Sequence, residues 1–142
     1  MVKVYKILKN TTVEGPGKRF CIWTQGCNKH CEGCYAKDTW DFDAGTAYSV
    51  NELFELIKKE KDIEGVTFLG GEPFEQAKNL SKLAKIIKND LNKSVITFSG
   101  YTYEELLSKN NIHINNLLNN TDLLIDGGFE INNYDLTRPW VG

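Results

Sequence analysis

The chain has 142 residues, 41% hydrophobic and 25% charged, a balance that excludes disordered and fibrous classes and fits one domain over residues 1–142 with its own core. Its net charge of -2, with lysines scattered among acidic residues, excludes a strongly basic nucleic-acid face. No run of about 18 apolar residues offers a membrane span, and the N-terminus alternates lysine with apolar residues where a signal peptide has an apolar segment, so a cytoplasmic protein is expected.

In chain order, Val2, Val4, Tyr5 and Ile7 mark an extended segment, and Glu14-Gly15-Pro16-Gly17 forces a turn. Phe20-Cys21-Ile22-Trp23-Thr24 reads as a strand that runs into a cysteine-rich loop over residues 26–35, followed by a polar, glycine-containing connection to Tyr48. Ser49 and Glu52 form a capping box ahead of Leu53, Leu56 and Ile57, which predicts a helix over about residues 50–60. Gly65-Val66-Thr67-Phe68-Leu69 is the next strand. Leu80, Leu83, Ala84, Ile87 and Leu91 then recur as the apolar stripe of a helix with lysines on its other face. Ser94-Val95-Ile96-Thr97-Phe98 returns as a strand, Thr102 and Glu105 open a short helix, residues 112–118 add another turn or two, and Leu123-Leu124-Ile125 is a last strand.

Strands alternating with helices at this spacing predict an α/β fold with a mostly parallel sheet. Ligands of such sheets collect at the carboxyl ends of the strands. The distinctive residues fall there: the cysteine loop, Gly70-Gly71-Glu72-Pro73, Ser99-Gly100-Tyr101 and Asp126-Gly127-Gly128. They are expected to share one rim.

Three of the four cysteines lie within eight residues, a clustering unlike a disulfide framework. Cys27, Cys31 and Cys34 would put three soft thiolates on one loop, a donor set for an iron-sulfur cluster or zinc. Three cysteines on a cubane cluster leave one iron open to a small molecule bearing an amine and a carboxylate. The zinc reading would draw its fourth ligand from His30, His113 or Cys21, although His30 directly precedes Cys31 and is cramped for a shared tetrahedral ion. Cys21, inside an apolar strand, reads as a small buried hydrophobe, and Trp23, Trp40 and Trp140 as core or interface aromatics.

Cys-x3-Cys-x2-Cys after a strand, with Gly-Gly-Glu-Pro after the next strand, resembles the radical S-adenosylmethionine (SAM) superfamily. Where many members carry an aromatic residue before the last cysteine, this chain has Gly33, with Tyr35 just after. The segment Cys31-Glu32-Gly33-Cys34-Tyr35 is similar to the activating proteins of anaerobic ribonucleoside-triphosphate reductases. That similarity continues through Gly15-Pro16-Gly17, the run from Tyr35 to Trp40, Gly70-Gly71-Glu72-Pro73, Gly100-Tyr101, Glu104-Glu105-Leu106 and Leu124-Ile125-Asp126-Gly127. The family commonly continues past the Trp140-Val141-Gly142 region with a short tail containing Ser and Asn, whereas this sequence stops there.

The resemblance implies a compact partial (β/α) barrel of the radical SAM type. It implies a [4Fe-4S] cluster on Cys27, Cys31 and Cys34, with SAM lying along Gly33, Cys34 and Tyr35 and along Gly70, Gly71 and Glu72. The implied reaction splits SAM reductively into methionine and a 5′-deoxyadenosyl radical, which takes a hydrogen from a glycine of the reductase large subunit. Gly70 and Gly71 would admit the SAM ammonium where a Cβ would obstruct it, and Glu72 would either accept from that ammonium or fix the loop. Thr97 and Ser99 alternate along one strand and would face either SAM or the packing. A flavodoxin- or ferredoxin-like protein is the implied electron donor, for which the lysine-rich face over residues 78–93 is one candidate surface. Two alternatives stand beside the activase: a radical SAM enzyme for a small molecule, for which the chain has no stretch long enough to form a lid, and a non-catalytic metal-binding module.

Overall fold

The computed structural model describes residues 1–12, 17–26 and 45–126. These residues form one open six-stranded sheet, β1 (Val2–Thr11), β2 (Arg19–Thr24), β3 (Thr46–Tyr48), β4 (Gly65–Gly70), β5 (Ser94–Phe98) and β6 (Leu123–Ile125), in the order β3-β1-β2-β4-β5-β6. Four helices accompany it: α1 (Val50–Lys59), α2 (Ala77–Leu91), α3 (Tyr103–Ser108) and α4 (Ile112–Asn119). The β2-β4, β4-β5 and β5-β6 pairs are parallel, and β1 joins β2 and β3 antiparallel. The α/β class and the predominance of parallel pairing are as predicted. Closure into a barrel is not a feature of the described residues.

The helices begin where their caps dictate. Ser49 Oγ accepts the Glu52 N–H (3.0 Å) and the Glu52 carboxylate accepts the Ser49 N–H (2.9 Å); Thr102 and Glu105 repeat the exchange at 3.1 and 2.9 Å. α2 ends at Asn92, which adopts the left-handed conformation at φ 53°. All four helices turn their apolar stripes to one core: Leu53 and Ile57 of α1, Leu80, Leu83 and Ile87 of α2, Leu106 of α3 and Leu117 of α4 pack with Phe20, Ile22, Val66, Phe68 and Val95 of the sheet. The opposite face of the sheet is buried as well. Cys21, Trp23 and Leu69 cluster there with Phe98, and Arg19 lies at its base, donating to Thr67 Oγ1 (2.8 Å) and to the carbonyls of Val66 and Ser94 (both 3.0 Å).

Two elements depart from the sequence reading. The connection before Tyr48 contains β3, a strand of three residues, too short for any periodicity and formed by pairing with Val2, Lys3 and Val4. The segment after Glu72 makes a single 3-10 turn, Pro73–Gln76, before α2. Its first position suits Pro73, whose ring presets φ and whose missing N–H is not needed there. No helix among the described residues is long and apolar enough to cross a membrane.

Candidate active-site rim

Because β2, β4, β5 and β6 run parallel and side by side, their carboxyl ends line one edge of the sheet. That edge carries Gly26, Gly70 to Glu72, Ser99 to Tyr101 and Asp126, as the sequence predicts. Gly127 and Gly128 lie outside the described residues, as do the ligand candidates Cys27, Cys31 and Cys34, together with His30, Gly33, Tyr35, Trp40 and Trp140. Gly26, the residue before Cys27, is thus the last described point on the way into the cysteine loop.

The rim segments are tied together by hydrogen bonds. The Gly71 N–H donates to the Thr24 carbonyl and the Glu72 N–H to the Gly26 carbonyl, both at 2.8 Å. On the other side the Glu72 carboxylate accepts the Ser99 hydroxyl (3.0 Å), the Gly100 N–H (2.7 Å) and the Phe74 N–H (3.2 Å). The Ser99 N–H donates to the Ile125 carbonyl at 2.9 Å, and the Tyr103 N–H to Asp126 Oδ2 at 2.7 Å. Tyr101 adds a bond from its hydroxyl to Glu75 (2.7 Å).

This geometry gives the two glycines a physical reason that the sequence did not disclose. A Cβ on Gly71 would lie 2.3 Å from the Gly26 carbonyl oxygen, and one on Gly70 would lie 2.6 Å from the Thr24 nitrogen, with Gly70 itself at φ +100°. Their bare backbones bring the end of β4 against the end of β2, so the glycine turn is pressed against the root of the cysteine loop.

Glu72 is 1% exposed. Burial pushes its carboxyl up to about 7, against the Gly100 and Phe74 N–H groups and the Ser99 hydroxyl, which favour the charged form. Of the two roles open to Glu72 in the sequence, the described residues display the loop-fixing one. Ser99 joins it there, while Thr97, on the helix-covered face, shares a hydrogen bond with Thr121 (2.9 Å).

Cys21 is fully buried three residues before the end of β2, about 10 Å down the strand. It is the small core residue predicted, remote from the rim a fourth zinc ligand would need to reach. His113 lies on α4, its N–H held by Asn111 Oδ1 (2.8 Å). Among the described residues no three His, Cys, Asp or Glu side chains come together as a metal site. The three thiols expected from the sequence, a donor set suited to iron-sulfur ligation, follow Gly26 in the chain and lie outside the described residues.

A family model described as 4Fe-4S single cluster domain matches residues 13–142. The chain is 32% identical over 138 residues to the anaerobic ribonucleoside-triphosphate reductase-activating protein of Pasteurella multocida, covering 92% of this chain and 85% of that one. It is 30% identical over 135 residues to the protein so named from Enterobacteria phage T4, covering 92% and 82%. The chain belongs to this activating-protein family. Similarity extends to the pyruvate formate-lyase-activating enzyme of Clostridium pasteurianum, 32% identical over 115 residues, or 75% of this chain and 48% of that one. The match to the 4Fe-4S domain spans Cys27, Cys31 and Cys34 and the whole of the rim.

Proposed function

We propose that this chain is a radical SAM activase that holds a [4Fe-4S] cluster on Cys27, Cys31 and Cys34, binds SAM beside it, and installs a glycyl radical on the large subunit of an anaerobic ribonucleoside-triphosphate reductase. The observation that carries the reading is the placement of Gly26, the root of the three-cysteine loop, against the Gly70-Gly71-Glu72 turn in a chain of the activating-protein family. When bound, the cluster and SAM supply the one-electron chemistry that takes a hydrogen atom from the partner's glycine.

The protein's own part is positioning. The SAM ammonium is a donor and needs acceptors. The N–H groups of Gly71 and Glu72 are already spent on Thr24 and Gly26, so the turn's contribution to SAM is its carbonyl oxygens, at Gly70 and Gly71. Glu72 braces that turn from within, and Gly33 and Tyr35, flanking Cys34, would meet the adenine end. The sheet, with the four helices of the described residues on one face and a second buried face opposite, reads as a partial (β/α) barrel of the radical SAM type. An acidic flavodoxin- or ferredoxin-like protein would supply the electron, with Lys78, Lys82 and Lys85 on the exposed side of α2 as a docking face. A cytoplasmic setting, with reduced thiols, suits that chemistry.

Anaerobic reconstitution with iron and sulfide, then reduction with SAM and the cognate reductase present, should give a glycyl doublet by electron paramagnetic resonance (EPR) with release of methionine and 5′-deoxyadenosine. Tightly bound zinc after anaerobic purification would overturn the cluster; SAM cleavage without a radical on the reductase would overturn the partner.

A further inference from the structure

The side chain of Gln76, at the end of the 3-10 turn, does unusual work for a half-buried glutamine. Its Nε2 donates to the carbonyls of Lys3 (2.9 Å) and Gln25 (3.2 Å), and its Oε1 accepts the Lys3 N–H (2.7 Å). The Lys3 carbonyl also takes the Gln25 N–H at 2.9 Å. One planar amide thus pairs with both backbone groups of Lys3 in β1 and with the carbonyl of Gln25, two residues before Cys27. A carboxylate of the same length keeps only the acceptor half of this pattern.

The other end of the cysteine segment returns to the same place. A Cβ on Gly45 would lie 3.0 Å from Gln25 Cβ and Cγ and 2.8 Å from the Val4 carbonyl oxygen, so Gly45 packs directly on Gln25. The exit at Gln25-Gly26 and the return at Gly45 are therefore neighbours, and Gln76 clamps the exit to β1 beside them.

We propose that Gln76 is a positioning residue for the cluster: it sets where the chain leaves β2 toward Cys27 by locking Gln25 to Lys3. The proposal rests on the reading that Cys27, Cys31 and Cys34 hold that cluster. Gln76 completes a frame whose other arm is Glu72, so the short stretch from Glu72 to Gln76 holds β1 and β2 on one side and the Ser99-Gly100 loop on the other.

The test uses the anaerobically reconstituted chain, its iron content, the rate at which a chelator strips that iron, and the EPR spectrum of the reduced cluster with and without SAM. Asn79→Ala is the structural control: Asn79 Nδ2 donates to the Met1 carbonyl (3.1 Å), a tie from the same region to β1 that does not reach β2. Gln76→Glu should lose iron about tenfold faster than wild type and show an altered EPR spectrum, the size of effect typical of outer-shell partners of a metal site. Asn79→Ala should match wild type in both. Should Gln76→Glu fail to fold, Gln76→Met, which keeps the length without adding charge, should show the same acceleration. Wild-type iron release and spectrum in a folded Gln76 variant, or equal acceleration in Asn79→Ala, would overturn the role. A wild-type chain that takes up no iron would instead remove the cluster reading, and the role of Gln76 with it.

Discussion

The carboxyl group of Glu72 has its pKa raised from 4.5 to about 7 by burial, so the folded protein keeps a proton there that the unfolded chain releases. Its contribution is fully present below pH 4.5 and falls as pH rises to about 7, because in that window the native state binds more protons than the unfolded one. For the iron-free protein, urea unfolding at pH 5 and pH 8 should show wild type losing about 2.5 kcal/mol relative to Glu72→Gln; parallel stabilities would show that the carboxyl is not so perturbed. Gly71 makes a second prediction at this scale. The sequence leads one to expect that a side chain there obstructs SAM, but the added Cβ meets Gly26 first. Gly71→Ala should therefore lose iron faster as well as bind SAM more weakly, and wild-type iron retention in that variant would show that Gly26 can yield.

At the scale of elements, the two capping boxes serve helices of very different independence. α1 spans 10 residues and buries Leu53 and Ile57, whereas α3 has 6 residues and buries only Leu106. A short helix gains little from propagation, so its cap carries a larger share of its stability. Thr102→Ala should cost about 1 kcal/mol of global stability in urea. Hydrogen exchange should rise through α3, which starts immediately after the Ser99 to Tyr101 rim loop. An unchanged exchange pattern would mean that the Tyr103 N–H bond to Asp126 holds the helix start alone.

Across the whole molecule, the core of the described residues is assembled from β1, β2, β4 and β5 and all four helices, and the rim is laid over it. The sheet and its helices should therefore outlast the cluster. Protein stripped of iron is expected to keep its helical circular dichroism and a single cooperative urea transition; loss of cooperativity on chelation would show that the thiol loop is part of the folding nucleus rather than mounted on it.

The helices and the parallel strands were legible in the sequence because each carries its own signal: a cap and a 3.6-residue stripe, or a run of β-branched and aromatic residues between turns. The shared rim was legible too, since parallel strands must end at one edge. The three thiols and the family motifs pointed to iron-sulfur chemistry, and the 4Fe-4S domain match supports it. What the tertiary structure alone decided are the contacts between residues far apart in the chain. β3 exists because Val2 to Val4 offer it a partner, not because Thr46 to Tyr48 favour a strand. Glu72 meets Ser99 across 27 residues, and Gln76 meets Lys3 across 73. Nothing local to Gly71 reveals that Gly26 occupies the space beside it. Such pairings depend on the order in which strands lie in the sheet, and a single sequence records that order only through the packing it produces.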